Sequence, residues 1–331
     1  MKTALVLGKF LPPHAGHAYL VDAARRQADE VVVLCLAHPD EPIPVEVRHR
    51  WLEELFPWAT VRSGVASHPI DYADPAVYDL WASTIKEVTG RDRFDLLLTS
   101  EPAYGGMTAE RLGAAHVLVD PDRLAVPVSA SAVRADPFGT WRFLAPCVRA
   151  WYVKRVCLLG AESTGTTTMT ERLAGIYETT WVPEYGRDYS IPKDARGDIW
   201  TTDDFVHIAR QQQALEDVAA REANRILFCD TDALATAIWH EQYLGRRSSE
   251  VEAIVATRRH DLTFLTAADF PWVNDGYRNS DAVRQRMQGR FEEEVARRPE
   301  EVVQLRGTVE QRTRTAVEAI QQVVGLARPG R

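Results

Sequence analysis

Twice along this chain a short apolar run ends in a glycine-bearing loop that opens directly onto a helical pattern: residues 4–7 into Gly8, and residues 155–159 into Gly160. A strand that turns at once into a helix returns to its sheet in parallel, and a parallel sheet needs helices over both faces. Runs at 4–7, 31–36, 60–65, 96–99 and 116–119 read as strands, with helical patterns at 15–27, 45–55, 75–89 and 108–112 between them. A second series places strands at 155–159, 226–229, 262–266 and 302–305, with helices at 203–223, 233–243, 281–297 and 309–326. The class expected is α/β, with a doubly wound, Rossmann-like domain first and a second βα domain after it. The pattern turns irregular and aromatic at 141–151, which puts the boundary near residue 150 and gives domains 1–150 and 151–331.

Composition narrows the partners. With 45% apolar residues, 26% charged residues and 4 Cys in 331, the chain is neither disordered, collagen-like nor a disulfide scaffold. A net charge of −8 disfavours a surface that tracks a nucleic-acid backbone, which needs an excess of Lys and Arg. Cys35, Cys147, Cys157 and Cys229 are far apart, without CxxC or Cys/His ligand spacing, and read as reduced core residues. The longest apolar stretches, such as residues 31–37, fall far short of the roughly 20 residues of a membrane helix. No signal-like apolar core with a cleavage site begins the chain. The expectation is a cytoplasmic protein with no nucleic-acid and no membrane partner.

The first loop reads Gly8-Lys9-Phe10-Leu11-Pro12-Pro13-His14-Ala15-Gly16-His17. A helix N-terminus offers unpaired N–H groups and partial positive charge, and two imidazoles three residues apart share one side of it. That suits phosphate. After the last strand of the first half, Ser129-Ala130-Ser131-Ala132-Val133-Arg134 adds two hydroxyls and a guanidinium at another helix start. The plain structural alternative makes His14 and His17 loop and capping residues, and Ser129 and Ser131 N-caps. Taken together the two segments resemble the nucleotidylyltransferase superfamily of the HxGH type. The resemblance implies adenylyl transfer, in which a phosphate acceptor attacks the α-phosphorus of ATP and pyrophosphate leaves. In that role His14 and His17 contact the nucleotide phosphates and stabilise the transition state. Ser129, Ser131 and Arg134 hold the β and γ phosphates, Lys9 adds charge, and Gly8, Phe10 and Gly16 shape the nucleotide-binding loop.

The second loop, Gly160-Ala161-Glu162-Ser163-Thr164-Gly165-Thr166-Thr167-Thr168, fits G-x-x-x-x-G-x-[ST] between a strand and the helical pattern at 169–177. Gly160, Ser163, Gly165 and Thr168 belong to the phosphate cradle, and Thr167 is the hydroxyl expected on Mg²⁺. Thr166 stands where a lysine usually reaches the β and γ phosphates, so another cation is expected there. Lys154 and Lys193 are the only lysines after residue 150, and Arg278 lies in the lid-like segment Pro271-Trp272-Val273-Asn274-Asp275-Gly276-Tyr277-Arg278. Arg278 and Lys193 rank ahead of Lys154, which begins a strand. The strand at 226–229 ends in Asp230, the position for a metal-linked acid, and Pro183-Glu184-Tyr185-Gly186-Arg187-Asp188-Tyr189 adds an acid and an arginine after a short strand.

Both loops in this order, with PEYGRDY, FCDTDA and PWVNDG after the second, resemble the NadR family of bifunctional NAD-synthesis enzymes over nearly the whole chain. The resemblance implies a nicotinamide mononucleotide adenylyltransferase followed by a P-loop ribosylnicotinamide kinase, the kinase making the mononucleotide that the transferase converts to NAD. It implies ATP as substrate, Mg²⁺ as cofactor, and nicotinamide mononucleotide, nicotinamide riboside and NAD as partners, with a homo-oligomer permitted. Glu184 and Asp230 become candidates for contacting the riboside hydroxyls, Mg²⁺ or the attacking 5′-hydroxyl, without individual assignment. Some members carry an N-terminal DNA-binding domain and act as repressors; Met1 stands almost directly before the first strand, so repression is not expected.

Two alternatives stay open at this level. The transferase could take another phosphate acceptor, such as phosphopantetheine or a flavin mononucleotide, or the second domain could sense nucleotide without catalysis. A cationic pyridinium ring calls for an aromatic face, and Trp51, Trp81 and Tyr104 in the first half and Trp181, Tyr185 and Trp239 in the second are the candidates, each also a plausible core residue.

Overall fold

The computed structural model describes residues 1–68, 73–270 and 281–327. Its contacts divide the chain into two compact units, Met1–Trp151 and Tyr152–Arg331. In the first unit β1 (Thr3–Gly8), α1 (Ala15–Arg25), β2 (Glu30–Ala37), α2 (Val45–Leu55), β3 (Thr60–Val65), α3 (Pro75–Thr89), β4 (Leu96–Thr99), α4 (Pro102–Leu112) and β5 (Ala115–Leu118) alternate, followed by α5 (Ala130–Ala135) and α6 (Pro146–Tyr152). All strand pairs are parallel, in the order β3-β2-β1-β4-β5. The order reverses between β1 and β4, and there the strand ends open a crevice.

Strand periodicity explains the two cores. Ala4 and Val6 face α1 through Leu20, Val21 and Ala24, whereas Leu5 between them faces α3 and α4 through Ala82, Ile85, Ala109 and Leu112. α3 begins at Asp74, whose carboxylate accepts from the Ala76 N–H, has Pro75 at its first position, and ends at Gly90 in the left-handed region. Two helical details depart from the sequence reading. α4 starts at Pro102 rather than near 108, because Gly105 and Gly106 dilute the helical signal. The aromatic stretch after 141 contains a short helix, α6.

The second unit runs β6 (Lys154–Leu159), α7 (Thr166–Tyr177), β7 (Trp181–Val182), α8 (Tyr185–Arg196), α9 (Thr202–Glu222), β8 (Ile226–Asp230), α10 (Ala233–Leu244), α11 (Ser249–Val255), β9 (Leu262–Thr266), α12 (Asp281–Val295), β10 (Val302–Leu305) and α13 (Val309–Ala319). Its parallel sheet has the order β10-β9-β6-β8-β7. The loop after β6 therefore opens between the ends of β8 and β9. Val156 and Leu158 pack under α7 and α13; Cys157 and Leu159 pack on the other face against α10 and α12. α8 was not evident in sequence, since Pro192 interrupts it and few of its residues are apolar. All four cysteines are buried and free, as expected. Among the described residues no helix is long and apolar enough to cross a membrane.

Candidate functional site

The first unit carries a cavity of about 390 Å³ at the strand-order reversal, lined from β1 and its loop by Gly8, Lys9, Phe10, His14, Gly16 and His17. Ser129, Ser131, Arg134 and Arg123 line it from the far side. His14 is the N-cap of α1. Its Nδ1 accepts from the Gly16 N–H at 3.1 Å, and the His14 N–H donates to His17 Nδ1 at 3.3 Å. This reciprocal cap explains the need for Gly16, because a Cβ there would stand 2.9 Å from the His14 ring. The two rings lie 3.9 Å apart between centroids, with Phe10 against His17.

Capping and phosphate chemistry are compatible readings of the same histidines. An Nδ1 that accepts a hydrogen bond is unprotonated, so a neutral ring carries its proton on Nε2 and keeps one N–H to donate. The rings are held neutral. Burial, helped by the Arg123 charge, lowers His14 to about 4, and burial, the neighbouring His14 and Arg123 hold His17 well below the ordinary histidine value.

The remaining residues of the first site divide. Lys9 lines the cavity, but its Nζ pairs with Glu41 at 2.9 Å, and the buried Arg48 bonds the same carboxylate and the Lys9 carbonyl. Ser129 caps α5 through the Ala132 N–H and stands 3.3 Å from Ser131 Oγ; Arg134 donates to the Leu11 carbonyl at 2.6 Å, tying α5 to the histidine loop. Of the aromatic candidates, Trp81 and Tyr104 line the cavity, with Tyr19 and Tyr78 beside them. Trp51 instead packs edge-on against Trp151. Arg123 escaped the sequence reading. Its loop is built by Asp120, whose carboxylate accepts from the N–H groups of Leu124, Ala125 and Val126, a turn signal directly after β5.

In the second unit Gly160 to Thr168 form the loop from β6 into α7. Gly165 has φ 87°, and a Cβ on Gly160 would lie 2.3 Å from Thr266 Oγ1, so both glycines are steric requirements. Ser163 Oγ is buried without a partner. Thr167 Oγ1 donates to Asp230 Oδ2 at 2.5 Å, while Asp230 Oδ1 is buried and without a hydrogen-bond partner. Burial raises the Asp230 pKa, and the Thr167 hydrogen bond opposes it. A hydroxyl beside an orphaned carboxylate oxygen fits Mg²⁺, a hard cation that takes oxygen ligands. Glu184, at the start of α8, is raised to about 7 by burial and then by the Asp230 charge.

The lysine replacement does not come from the lysines. Lys193 is buried in an ion pair with Asp204 at 3.1 Å and lies over Trp200, and Lys154 pairs with Asp261 at 2.7 Å. The Lys193 expectation is therefore corrected: a cation placed between α8 and α9 by a buried acid is committed there. Arg278 lies outside the described residues. Arg187, exposed on α8, acts electrostatically on both Glu184 and Asp230. A cavity of about 230 Å³ beside the loop is lined by Ser163, Gly165, Thr168, Phe270, Val309 and Arg312. The wholly buried Arg312 pins the loop by donating to the carbonyls of Thr164 at 2.6 Å, Ala267 at 2.9 Å and Gly307 at 3.0 Å, pairs with Asp269, and lies over Phe270. Trp181 and Trp239 pack into cores, whereas Tyr185 meets His207 and Tyr189.

A family model described as an AAA domain matches residues 155–312. The trifunctional NAD biosynthesis/regulator protein NadR of Escherichia coli (strain K12) is 32% identical over 295 residues, which is 83% of this chain and 71% of the relative. The protein of the same description from Salmonella typhimurium (strain LT2) is 32% identical over 296 residues, with the same shares covered. Among solved structures, a NadR protein in complex with NR superposes with a TM-score of 0.81 at 21% identity, covering 99% of this chain and 98% of that one. A NadR protein in complex with NAD and AMP-PNP does so with a TM-score of 0.77 at 21% identity, covering 100% and 98%.

Proposed function

The chain belongs to the NadR family, and from that premise we propose that its first unit adenylylates nicotinamide mononucleotide with ATP, releasing pyrophosphate, and that its second phosphorylates nicotinamide riboside. The observation that carries the transferase reading is the pair of neutral histidines at the N-terminus of α1, each with Nδ1 engaged and Nε2–H left to donate. As the acceptor phosphate attacks the α-phosphorus, charge grows on its oxygens and on the departing pyrophosphate. His14 and His17 donate to those oxygens together with the helix N-terminus, while Ser129, Ser131, Arg134 and Arg123 hold the leaving group. Lys9, paired with Glu41, acts as part of the wall and adds less free charge than its type suggests. Trp81 and Tyr104 offer aromatic faces to the nicotinamide ring.

For the kinase, Glu184 is the general base. A carboxyl with a pKa of about 7 is half ionised at neutral pH and suited to take the proton from the attacking 5′-hydroxyl. Thr167 and Asp230 would hold Mg²⁺, which when bound offsets the charge of the triphosphate. Gly160, Ser163, Gly165, Thr166 and Thr168 cradle the phosphates, and Arg187 supplies the cation that Thr166 does not. The NR, NAD and AMP-PNP held by the solved relatives are in keeping with this pair of activities.

The deciding experiment gives the purified chain ATP and Mg²⁺ with nicotinamide mononucleotide in one tube and nicotinamide riboside in another. NAD in both supports the two activities together. NAD only in the first removes the kinase and leaves a silent or nucleotide-sensing second unit, and NAD in neither removes the assigned acceptor.

A further inference from the structure

His260, immediately ahead of β9, is 5% exposed, and both its ring nitrogens are buried without a hydrogen-bond partner. Nε2 stands 3.7 Å from Glu216 Oε2 on α9 and Nδ1 stands 3.7 Å from Asp232 Oδ2, both beyond hydrogen-bond range. Glu216 is wholly buried, and its Oε1 also has no partner. The sulfur of Cys229 on β8, a Glu216 carboxylate oxygen and a His260 nitrogen all lie within 4.8 Å of one another. Native interiors leave few buried polar atoms unpaired, and those left call for an explanation. A single bound cation would engage the open lone pairs of Glu216, His260 and Cys229 together.

We propose that the second unit carries a buried divalent-cation site of the zinc type, with Glu216, Cys229 and His260 as ligands. Cys157 on β6, in register beside Cys229, belongs instead to a separate group with Asp232 and His260, and Asp232 stands at Nδ1 on the other side of the ring. Asp232 is the weaker ligand, because Oδ1 already accepts from the Leu234 and Ala235 N–H groups and Oδ2 is held by Arg298. The mixed sulfur, nitrogen and oxygen set suits zinc rather than magnesium or calcium. Zinc bond lengths put neighbouring ligands roughly 3.3–3.8 Å apart, so the three donors, all within 4.8 Å of one another, need to close by about 1.5 Å at most. Arg155 and Arg258 stand beside Glu216 Oε2 at 3.6 and 3.2 Å, offsetting the anionic donors, while Oε1 has no hydrogen-bond partner.

Binding is a ligand exchange without electron transfer. The Cys229 thiol gives up its proton as its sulfur bonds the metal. The site shares no residue with Thr167 and Asp230. It joins α9, β8 and the entry to β9, with Cys229 next to Asp230 on β8, so its role is to hold the strand ends beside the phosphate loop.

The test uses the full, untagged chain, stripped with a chelator, equilibrated with Zn²⁺ and desalted. Close to one equivalent retained, with both sulfur and nitrogen or oxygen scatterers around zinc by X-ray absorption, is expected. Cobalt in place of zinc should give a thiolate charge-transfer band, and Cys229→Ser and His260→Gln should each weaken retention about tenfold or more. Loss of zinc on desalting, or a shell of nitrogen and oxygen alone, overturns the proposal. Both of these readouts come from the unaltered chain and do not depend on either variant folding.

Discussion

The neutral state of His14 has a thermodynamic consequence that can be measured apart from catalysis. Its pKa is about 4 in the folded chain against 6.5 for the free side chain, so below pH 6.5 the unfolded chain binds a proton that the folded one refuses. Stability contributed here is present at neutral pH and lost as the pH falls. Between pH 7 and pH 5 the two titration curves give a loss of about 2 kcal/mol, rising to about 3 kcal/mol near pH 4. His14→Asn removes the titrating group and keeps a side-chain acceptor for the Gly16 N–H, since Asn is a good N-cap. His17 shifts in the same sense and stays in both proteins, and because His14 contributes to that shift, His14→Asn also eases it, which adds to the difference rather than hiding it. The assay is a urea series with pulsed hydrogen exchange and mass spectrometry on peptides from β1 and β2, which reports the first unit separately. The loss from pH 7 to pH 5 should be larger in the native chain than in His14→Asn by about 2 kcal/mol. A difference below about 0.5 kcal/mol would refute the claim that the fold holds this ring uncharged.

Other substitutions separate the remaining roles. His17→Ala should lower kcat for NAD formation from the mononucleotide by about 100-fold with little change in folding, and an unchanged kcat would take it out of the reaction. For riboside phosphorylation, kcat/KM should rise with pH to a plateau above about 7, because Glu184 accepts a proton only when ionised and its carboxyl is protonated below that pH. Glu184→Gln should abolish that limb together with most of the rate; a limb that survives in the variant belongs to another group. Arg312→Leu strips donors from three buried carbonyls and should destabilise the second unit by about 3 kcal/mol or more while weakening ATP binding, and a loss below about 1 kcal/mol would show that the loop holds without this pin.

What could be read from sequence and what could not follows from the range of the interactions involved. The strands of both sheets were legible because buried parallel strands are continuous apolar runs, and the two loops were legible because a strand–loop–helix turn confines its chemistry to about ten adjacent residues. α8 was hidden by Pro192 and its polar composition, since contact with α9 rather than local propensity holds it. Lys193 was misjudged for the same reason: its charge is used across α8 and α9 by Asp204. Arg312 stands 148 residues from the Thr164 carbonyl it supports, and no local motif marks such a residue.

The cysteines carry the point further. Cys229 has no ligand spacing along the chain, yet α9 and the approach to β9 deliver Glu216 and His260 to within 4.8 Å of its sulfur. Spacing rules detect sites carried on one turn or hairpin; a site assembled from three separate elements leaves no spacing to detect. Its trace lies instead in the energetics of the interior, where a carboxylate and an imidazole with open lone pairs would be costly to bury unless something engages them.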